Sequence, residues 1–393
     1  RNIPKFFTDF TTQNMDPVAF GKTYRPLTLV SFAINYAIYG YDVSTFHILN
    51  YFLHTGAGIA IFLLFGFLVE HALPQKGGRG GGLLEYVPLS RRLYAPPWLG
   101  LLAGFLFVVH PLGTESLNYL SARGDLLGTF FYYVGLLCYV AAGYGERNPD
   151  WNRGPRLFVL LGAMLAGFAA MLSKELGITF IGAVILFDLC FLPRWSLRAY
   201  LRRFACFQLP MIGITAGYLL LRIDRLGELS DGRTIRTLYN NIVTQCVVFW
   251  KYIWRLFVPW PLNVDYDQKV YNVNKFTEKC GDCTAVEAFW KGVENWGRVL
   301  KGMFASVART DPEKGFWKSI VTDPYFWPVV SVIALLLLLL LTLWLYRSKR
   351  HRDLAFAILL FLNTQAPTSI KPLKIIMNDH RPYIGIISVC LFL

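Results

Sequence analysis

The chain has 393 residues, of which 54% are hydrophobic and 16% are charged, and its mean hydropathy is +0.40. This composition excludes an ordinary soluble protein, because too few polar residues remain to cover a soluble surface. The net charge of +14 could suggest a nucleic-acid partner. However, the basic residues are concentrated in short loops between apolar runs, which is the positive-inside pattern of membrane proteins and argues against nucleic acid.

Long apolar runs alternate with polar segments, which predicts an all-α integral membrane protein built as a multi-helix bundle. An upright transmembrane helix needs ~20 apolar residues. The predicted membrane helices are, in chain order, Thr45–Val69, Trp98–Val109, Asp125–Gly143, Leu157–Leu172, Gly177–Leu192, Phe204–Leu221, Pro328–Tyr346, Phe356–Leu362 with its flanks, and a helix beginning at Ile384. Because the last helix is short and residue 1 already lies in a polar segment, we expect the chain to be truncated at both ends.

Basic loops orient these helices, since short loops rich in Arg and Lys, such as Arg347–Arg352, are expected in the cytoplasm. The orientation predicts four segments. Residues 1–43 form an outer-face loop with a short interfacial helix, and residues 44–222 form a transmembrane bundle. Residues 223–324 form a second outer-face loop with an interfacial helix, and residues 325–393 form the C-terminal transmembrane helices.

The location of the run Tyr239–Val258 follows from the number of membrane crossings around it. Residues 222–324 must begin and end outside, which forbids a single crossing within them. The run also carries Lys251 and Arg255 among aromatic residues, a pattern typical of an amphipathic helix that lies in the interface. We therefore predict that Tyr239–Val258 does not span the membrane.

The seven cysteines do not form a metal-binding pattern. Five lie singly in apolar runs, where cysteine packs as a small hydrophobic residue. Cys280 and Cys283 form a Cys-Gly-Asp-Cys motif in a polar loop. One such pair without a second is a weak zinc signal. We expect a local disulfide or two free thiols there, no bound metal and no cofactor.

The stretch Val108–Leu127 carries the strongest functional signal. It is a short polar hairpin between two apolar runs, and ionisable residues at a membrane boundary are costly and therefore functional candidates. The predicted orientation brings polar residues of other segments to the same outer face. The candidates are Arg25, His47, Asn50, His110, Glu115, Arg123, Asp125, Lys174, Glu175, His380 and Arg381. Together they offer basic groups and carboxylates where an anionic lipid head group would sit.

Structural roles stay open for several of these candidates. Asp125 directly precedes an apolar run and could cap its helix. Arg123 could pair with Asp125 or Glu115, and the neighbours Lys174 and Glu175 could form a solvated pair.

A stripe on the first membrane helix is equally ambiguous. His47, Asn50 and His54 are spaced so that they share one helical face. They could form hydrogen bonds between helices, or they could face a substrate.

Six segments resemble the membrane region of the transmembrane-and-tetratricopeptide-repeat O-mannosyltransferases and their bacterial relatives. They are YRPL at Tyr24–Leu27, FHILNYFLH at Phe46–His54, HPLGTESLNYLSARGDLL at His110–Leu127, SKELGI at Ser173–Ile178, the stretch Tyr252–Tyr266 ending in NVDY, and HRPYI at His380–Ile384. The resemblance implies the GT-C glycosyltransferase fold. It also implies transfer of a sugar, mannose or another hexose, from a polyprenyl-phosphate carrier to an acceptor on the outer side of the ER or bacterial inner membrane.

Two departures from the family pattern affect the expected roles. The acidic motif of the first outer loop, which supplies the family's expected catalytic carboxylate, is not found, since neither Asp9 nor Asp16 sits in such a motif. No tetratricopeptide repeat is visible either. We therefore expect the catalytic base to lie upstream of residue 1 or to be missing, and the remaining carboxylates, Glu115 and Asp125, are only weak candidates for it.

The cations of the candidate set are expected at the lipid phosphate. Arg123, Lys174 and Arg381 are the first choices, and Arg suits phosphate best because its planar fork binds two oxygens. Arg25, His47, Asn50, His110, Glu175 and His380 complete the expected lipid-phosphate site.

A second hypothesis treats the chain as a noncatalytic GT-C-like scaffold in a larger membrane complex, with other membrane subunits and lipids as partners. The missing acidic motif favours the scaffold, and the polar outer face favours the enzyme. A transporter is the weaker alternative, because no inverted repeat is visible.

Overall fold

The computed structural model describes residues 3–8, 24–72, 97–145, 153–191, 197–226, 238–260, 262, 326–348, 351–370, 377 and 381–390. Every regular element within these ranges is helical. Five of these helical stretches are long and apolar enough to cross a membrane. They are Val43–Gly66, Leu120–Ala142, Arg156–Ser173, Tyr200–Asp224 and Phe326–Arg347. The predicted all-α membrane fold is therefore confirmed.

The α-helices in the described ranges are α1 (Lys5–Thr8), α2 (Pro26–Tyr39), α3 (Val43–Ala72), α4 (Pro97–Val109), α5 (Gly113–Asn118), α6 (Arg123–Gly145), α7 (Arg153–Ser173), α8 (Phe180–Phe191), α9 (Leu197–Arg203), α10 (Leu209–Leu226), α11 (Leu238–Phe257), α12 (Phe326–Arg347), α13 (Arg352–Ile370) and α14 (Ile387–Cys390). Short 3₁₀ turns lie at Leu120–Ala122, Glu175–Thr179 and Tyr383–Gly385. A π-helical turn, Phe204–Gln208, joins α9 to α10.

Helix α2 has a clear start signal and a clear stop signal in its sequence. Proline is its first residue, where the fixed φ suits a helix start and no backbone donor is lost. Gly40 follows the last turn with φ +65°, a conformation that favours glycine. With 14 residues the helix is about 21 Å long, which is short for a hydrocarbon core of about 30 Å. Its predicted interfacial location is compatible with this length.

The chain divides into two compact units, of which the first contains residues 1–231, 345–364 and 382–393. Its central helix is α6, which packs mainly on α3 and α7, while α3 also packs on α4. Helices α3 and α4 approach closely because small residues face each other. A Cβ on Gly104 would lie 2.7 Å from the carbonyl oxygen of Gly58, and such small-residue contacts are typical of membrane helix pairs.

The second unit contains residues 232–344 and 365–381. Within it, the Trp250 indole on α11 donates to the Ser331 carbonyl at 2.9 Å, and the Asn241 amide donates to the Ser369 carbonyl at 2.6 Å. Helix α11 matches the predicted run Tyr239–Val258 within a residue at each end. Its predicted location in the interface stays a prediction. Cys280 and Cys283 lie outside the described residues.

Candidate functional site

Three helix ends meet at one end of the first unit: the start of α2, the start of α6 and the end of α7. Gly124 permits this approach, because a Cβ there would lie 2.9 Å from the Ser173 carbonyl oxygen and 3.2 Å from the Thr28 hydroxyl. The Thr28 hydroxyl in turn donates to the Ser173 carbonyl at 2.9 Å. The junction places Arg25, Asp125 and the Lys174-Glu175 pair side by side.

Two arginines bind the Glu175 carboxylate. The Nε atom of Arg25 lies 3.1 and 3.3 Å from its two oxygens, and an Nη atom lies 2.9 Å from one of them. An Nη atom of Arg222, near the end of α10, approaches the carboxylate at 3.4 Å. Such forked contacts fix geometry as well as charge. The side chains of Arg25 and Glu175 keep 28% and 22% of their surface exposed, so solvent still reaches the pair.

The charges around Glu175 decide its protonation. Burial by itself would raise the pKa of its carboxyl, but Arg25, Arg222 and Lys174 outweigh burial and hold that pKa below its ordinary value. The carboxylate therefore stays ionised at neutral pH and is poorly suited to accept a proton during catalysis. Its chemical role is to hold two guanidinium groups in place.

The second ion pair joins Lys174 to Asp125 at 2.9 Å between Nζ and Oδ2, with 13% and 5% of the side chains exposed. Burial lowers the pKa of the Lys174 ammonium, and the charge of Arg25 lowers it further, while Asp125 and Glu175 oppose both effects. Arg25, Lys174, Arg222, Asp125 and Glu175 form what we call the charged cluster. Since it contains three cations and two carboxylates, an added phosphate would meet an excess of positive charge.

Arg123 does not join the charged cluster. Its side chain has 0% exposure, and it donates to the Asn50 Oδ1 atom at 2.9 Å, the Asn35 Oδ1 atom at 3.2 Å and the Phe46 carbonyl at 2.9 Å. The centroids of the Phe32 and Phe46 rings lie 4.2 and 5.2 Å from its guanidinium carbon. None of its hydrogen bonds goes to Asp125 or Glu115, so the pairing left open by the sequence is not formed.

The contacts of Arg123 give it a structural setting, because they tie α6 to α2 and α3. Its Nη1 atom is buried without a hydrogen-bond partner. Because no part of the side chain is accessible, a lipid phosphate could reach this guanidinium only after rearrangement. The side chains of Arg25, Lys174 and Arg222 are more accessible, with 28%, 13% and 8% of their surface exposed.

The stripe on α3 is largely used for packing. The Asn50 amide donates to the Leu117 carbonyl at 3.3 Å. The His54 ring bonds the Tyr383 hydroxyl at 2.6 Å and the Val108 carbonyl at 3.0 Å. These contacts support the interpretation as interhelical hydrogen bonds for Asn50 and His54, whereas His47 is half-buried.

The other candidates are dispersed. The His110 ring accepts a hydrogen bond from the Leu112 backbone at 3.2 Å, and Glu115 lies in the first turn of α5. Arg381 is buried in the second unit, and His380 lies outside the described residues. In the part of the chain that the structure describes, no three His, Cys, Asp or Glu residues gather in a way that could hold a metal ion.

Sequence reasoning missed Arg222 and the amide partner Asn35. Arg222 could have been found, because it directly follows the predicted helix Phe204–Leu221, which runs toward the outer face. Asn35 gave no comparable signal, since a single polar residue in a mixed amphipathic segment indicates no particular partner.

The chain is similar to curated protein O-mannosyl-transferases. It is 34% identical over 189 residues to protein O-mannosyl-transferase TMTC4 of Homo sapiens. The aligned region covers 48% of this chain and 24% of the relative. It is 28% identical over 187 residues to Tmtc3 of Drosophila melanogaster, covering 48% and 19%. For TMTC2 of Mus musculus the identity is 26% over 200 residues, covering 50% and 20%. The chain thus spans about a quarter or less of these relatives' lengths.

No family model and no solved structure matches the chain. The GT-C architecture expected from the sequence motifs stays a prediction.

Proposed function

We propose that this chain, whose resemblance to the TMTC protein O-mannosyl-transferases is confirmed over about half of its length, is the membrane part of a protein O-mannosyltransferase. The donor we propose is mannose on a polyprenyl phosphate. The acceptor is a protein hydroxyl group on the lumenal side of the ER membrane.

The charged cluster is the observation that supports this proposal most directly. It combines Arg25, Lys174 and Arg222 in one place, next to the ends of helices that are long enough to cross a membrane. A polyprenyl-phosphate donor presents its phosphate at the membrane boundary, with the lipid chain in the hydrocarbon. The partly exposed Arg25 and Lys174 would meet the phosphate oxygens, and Glu175 would keep the two guanidinium groups oriented.

In the proposed reaction the acceptor hydroxyl oxygen forms a bond to the anomeric carbon of mannose. The bond from that carbon to the phosphate oxygen breaks, the phosphate leaves with the electron pair, and the hydroxyl proton passes to water. Fixed cations stabilise the charge that develops on the leaving phosphate. Because Glu175 and Asp125 already hold cations, we assign the cluster to the phosphate, and we do not assign the proton acceptor to either carboxylate.

The activity test is mannosyl transfer from polyprenyl-phosphate mannose to a serine- and threonine-containing peptide, catalysed by membranes that contain the protein. We expect Lys174→Gln to reduce the transfer rate by about tenfold or more, the effect of losing one charge-assisted hydrogen bond. Arg347→Gln is the matched control, because Arg347 is an exposed residue at the end of α12. Equal rates for the wild type, Lys174→Gln and Arg347→Gln would contradict the proposal.

The scaffold hypothesis keeps one supporting observation, since the two carboxylates of the cluster are both in ion pairs. It predicts that the wild type binds the lipid donor but transfers no mannose. The same assay, combined with donor binding, therefore separates the two functions.

A further inference from the structure

A second polar site lies far from the charged cluster in the same unit. It lies where α6 nears its end and where α7 and α10 begin, whereas the charged cluster lies at the other ends of these helices. Tyr139 is 14 residues from Asp125 on α6, which corresponds to about 21 Å along the helix. A cavity of about 270 Å³ opens here.

A buried carboxylate binds two of the residues that line this cavity. Asp188 on α8 accepts hydrogen bonds from the Tyr139 hydroxyl at 2.5 Å and the Gln208 amide at 2.7 Å, and it pairs with Arg203 at 3.3 Å. Tyr139 and Arg203 both line the cavity. Three donors therefore satisfy the carboxylate, which fixes the positions of Tyr139 and Arg203.

Two further arginines, Arg156 and Arg202, line the cavity. Arg202 is exposed and Arg156 is half-buried. With Arg203 they place three guanidinium groups among the described residues that line the cavity. This lining complements an anion, because guanidinium groups bind phosphate oxygens well.

The remaining wall is apolar. Leu157, Leu160, Leu161 and Met164 follow one side of α7, and Phe207 closes the wall from the π-helical turn. Leu157 and Leu161 are among the exposed large hydrophobic residues. A cavity with an apolar wall on a helix long enough to cross a membrane, and with three arginines among its lining residues, suits an anionic amphiphile.

We propose that this cavity binds one anionic phospholipid, with its phosphate at Arg156 and Arg202 and an acyl chain along the apolar side of α7. A zwitterionic lipid fits less well, because its added cation would meet the arginines. By the positive-inside pattern this end of the bundle faces the cytoplasm, where anionic lipids attract basic residues. The site is independent of the proposed mannosyl transfer, because it lies at the opposite ends of the helices.

Cys206 provides a reporter inside the site. It lines the cavity and is exposed, so a bound lipid should shield its thiol. The purified full chain is treated in detergent with N-ethylmaleimide, with increasing phosphatidylglycerol or phosphatidylcholine of identical acyl chains, and modification of Cys206 is followed by peptide mass spectrometry. We expect phosphatidylglycerol to slow the modification at much lower concentration than phosphatidylcholine.

Charge variants test the arginines. In the double variant Arg156→Gln/Arg202→Gln, a higher phosphatidylglycerol concentration should be needed to halve the rate of Cys206 modification. We expect this concentration to rise about fivefold for each arginine removed, the contribution of one basic residue near an anionic lipid surface. Arg347→Gln, which removes an exposed arginine that does not line the cavity, should leave protection unchanged. Arg156→Lys/Arg202→Lys keeps both charges and should retain the preference for phosphatidylglycerol, which provides a test if the glutamine variant does not fold.

Three outcomes would overturn the proposal. Both lipids could protect Cys206 equally, which would indicate only a nonspecific lipid coat. The glutamine variant could show the wild-type protection curve. The folded lysine variant could lose the preference for phosphatidylglycerol.

Discussion

The Arg25 guanidinium binds the Glu175 carboxylate through contacts of 2.9, 3.1 and 3.3 Å, although 150 positions separate the two residues in the chain. This ion pair joins the start of α2 to the segment that follows α7. Because Arg222 binds the same carboxylate, one acidic side chain connects three parts of the bundle. The integrity of the charged cluster therefore depends on Glu175 more than on any one of its cations.

Glu175→Gln should destabilise the protein, because it leaves two arginines beside a neutral amide. We expect a loss of about 1–3 kcal/mol, below the value for a fully buried pair, since part of each side chain is exposed. Thermal unfolding in detergent measures the effect. Asp42→Asn is the control, because Asp42 is exposed and its bond to the Ser44 backbone can be kept by an amide. Identical melting temperatures for Glu175→Gln and the wild type would show that the ion pair contributes nothing.

The stability of the wild type should fall in acid through Glu175. The folded-state pKa of its carboxyl is held below the ordinary value, with burial opposing and the nearby cations prevailing, whereas the unfolded chain has a pKa of about 4.3. The ion pair's contribution is therefore complete above that pH and decreases as the pH falls below it. Melting curves between pH 7 and pH 3.5 should show a larger loss for the wild type than for Glu175→Gln. A parallel loss in both proteins would assign the acid sensitivity to other groups.

Gly124→Ala should push α6 away from α7, because the new Cβ would meet the Ser173 carbonyl oxygen at 2.9 Å. Backbone cannot move aside as a flexible side chain does, so we expect a destabilisation of about 1–3 kcal/mol. Gly213→Ala on α10 is the matched control, since nothing lies within 4 Å of a Cβ there. Alanine is the better helix former by roughly 0.5–1 kcal/mol, so Gly213→Ala should be neutral or stabilising. Equal melting temperatures for the two variants would show that Gly124 is not needed for the close approach of α6 and α7.

Arg123→Lys separates a structural role from the predicted phosphate contact. A lysine ammonium cannot serve Asn50, Asn35 and the Phe46 carbonyl with the geometry of a guanidinium fork, and it stacks less well on the Phe32 ring. We expect the free energy of unfolding to fall by about 3 kcal/mol, as is typical of breaking a buried polar network. The melting temperature should be clearly lowered. If Arg123→Lys instead melts like the wild type but loses donor binding, the phosphate contact predicted from the sequence is correct.

The helices could be predicted from the sequence because lipid imposes a simple rule on composition. The apolar run Thr45–Val69 lies within α3, and Pro328–Tyr346 lies within α12. The partners of individual polar side chains could not be predicted in the same way. Arg123 illustrates the reason, since its acceptors come from α2 and α3, and the spacing of residues along one helix does not reveal which neighbour supplies an amide oxygen.

The charged cluster was only partly predictable. Arg25, Lys174, Glu175 and Asp125 were candidates because the predicted orientation brought them to one membrane face. The orientation of the helices assigns residues to a membrane face but does not say which of them pair, so the two ion pairs and the contribution of Arg222 are seen only in the folded chain.

Direct binding of a polyprenyl-phosphate donor tests whether Arg25 and Lys174 contact its phosphate. The measurement is the affinity of polyprenyl phosphate for the full chain in lipid nanodiscs, for the wild type, Arg25→Gln, Lys174→Gln and the control Arg347→Gln, with a thermal melt for each. We expect about tenfold or greater weakening for each of the two cluster variants, the value of a charge-assisted hydrogen bond, and no change for Arg347→Gln. Unchanged affinity in folded Arg25→Gln and Lys174→Gln proteins would contradict this expectation.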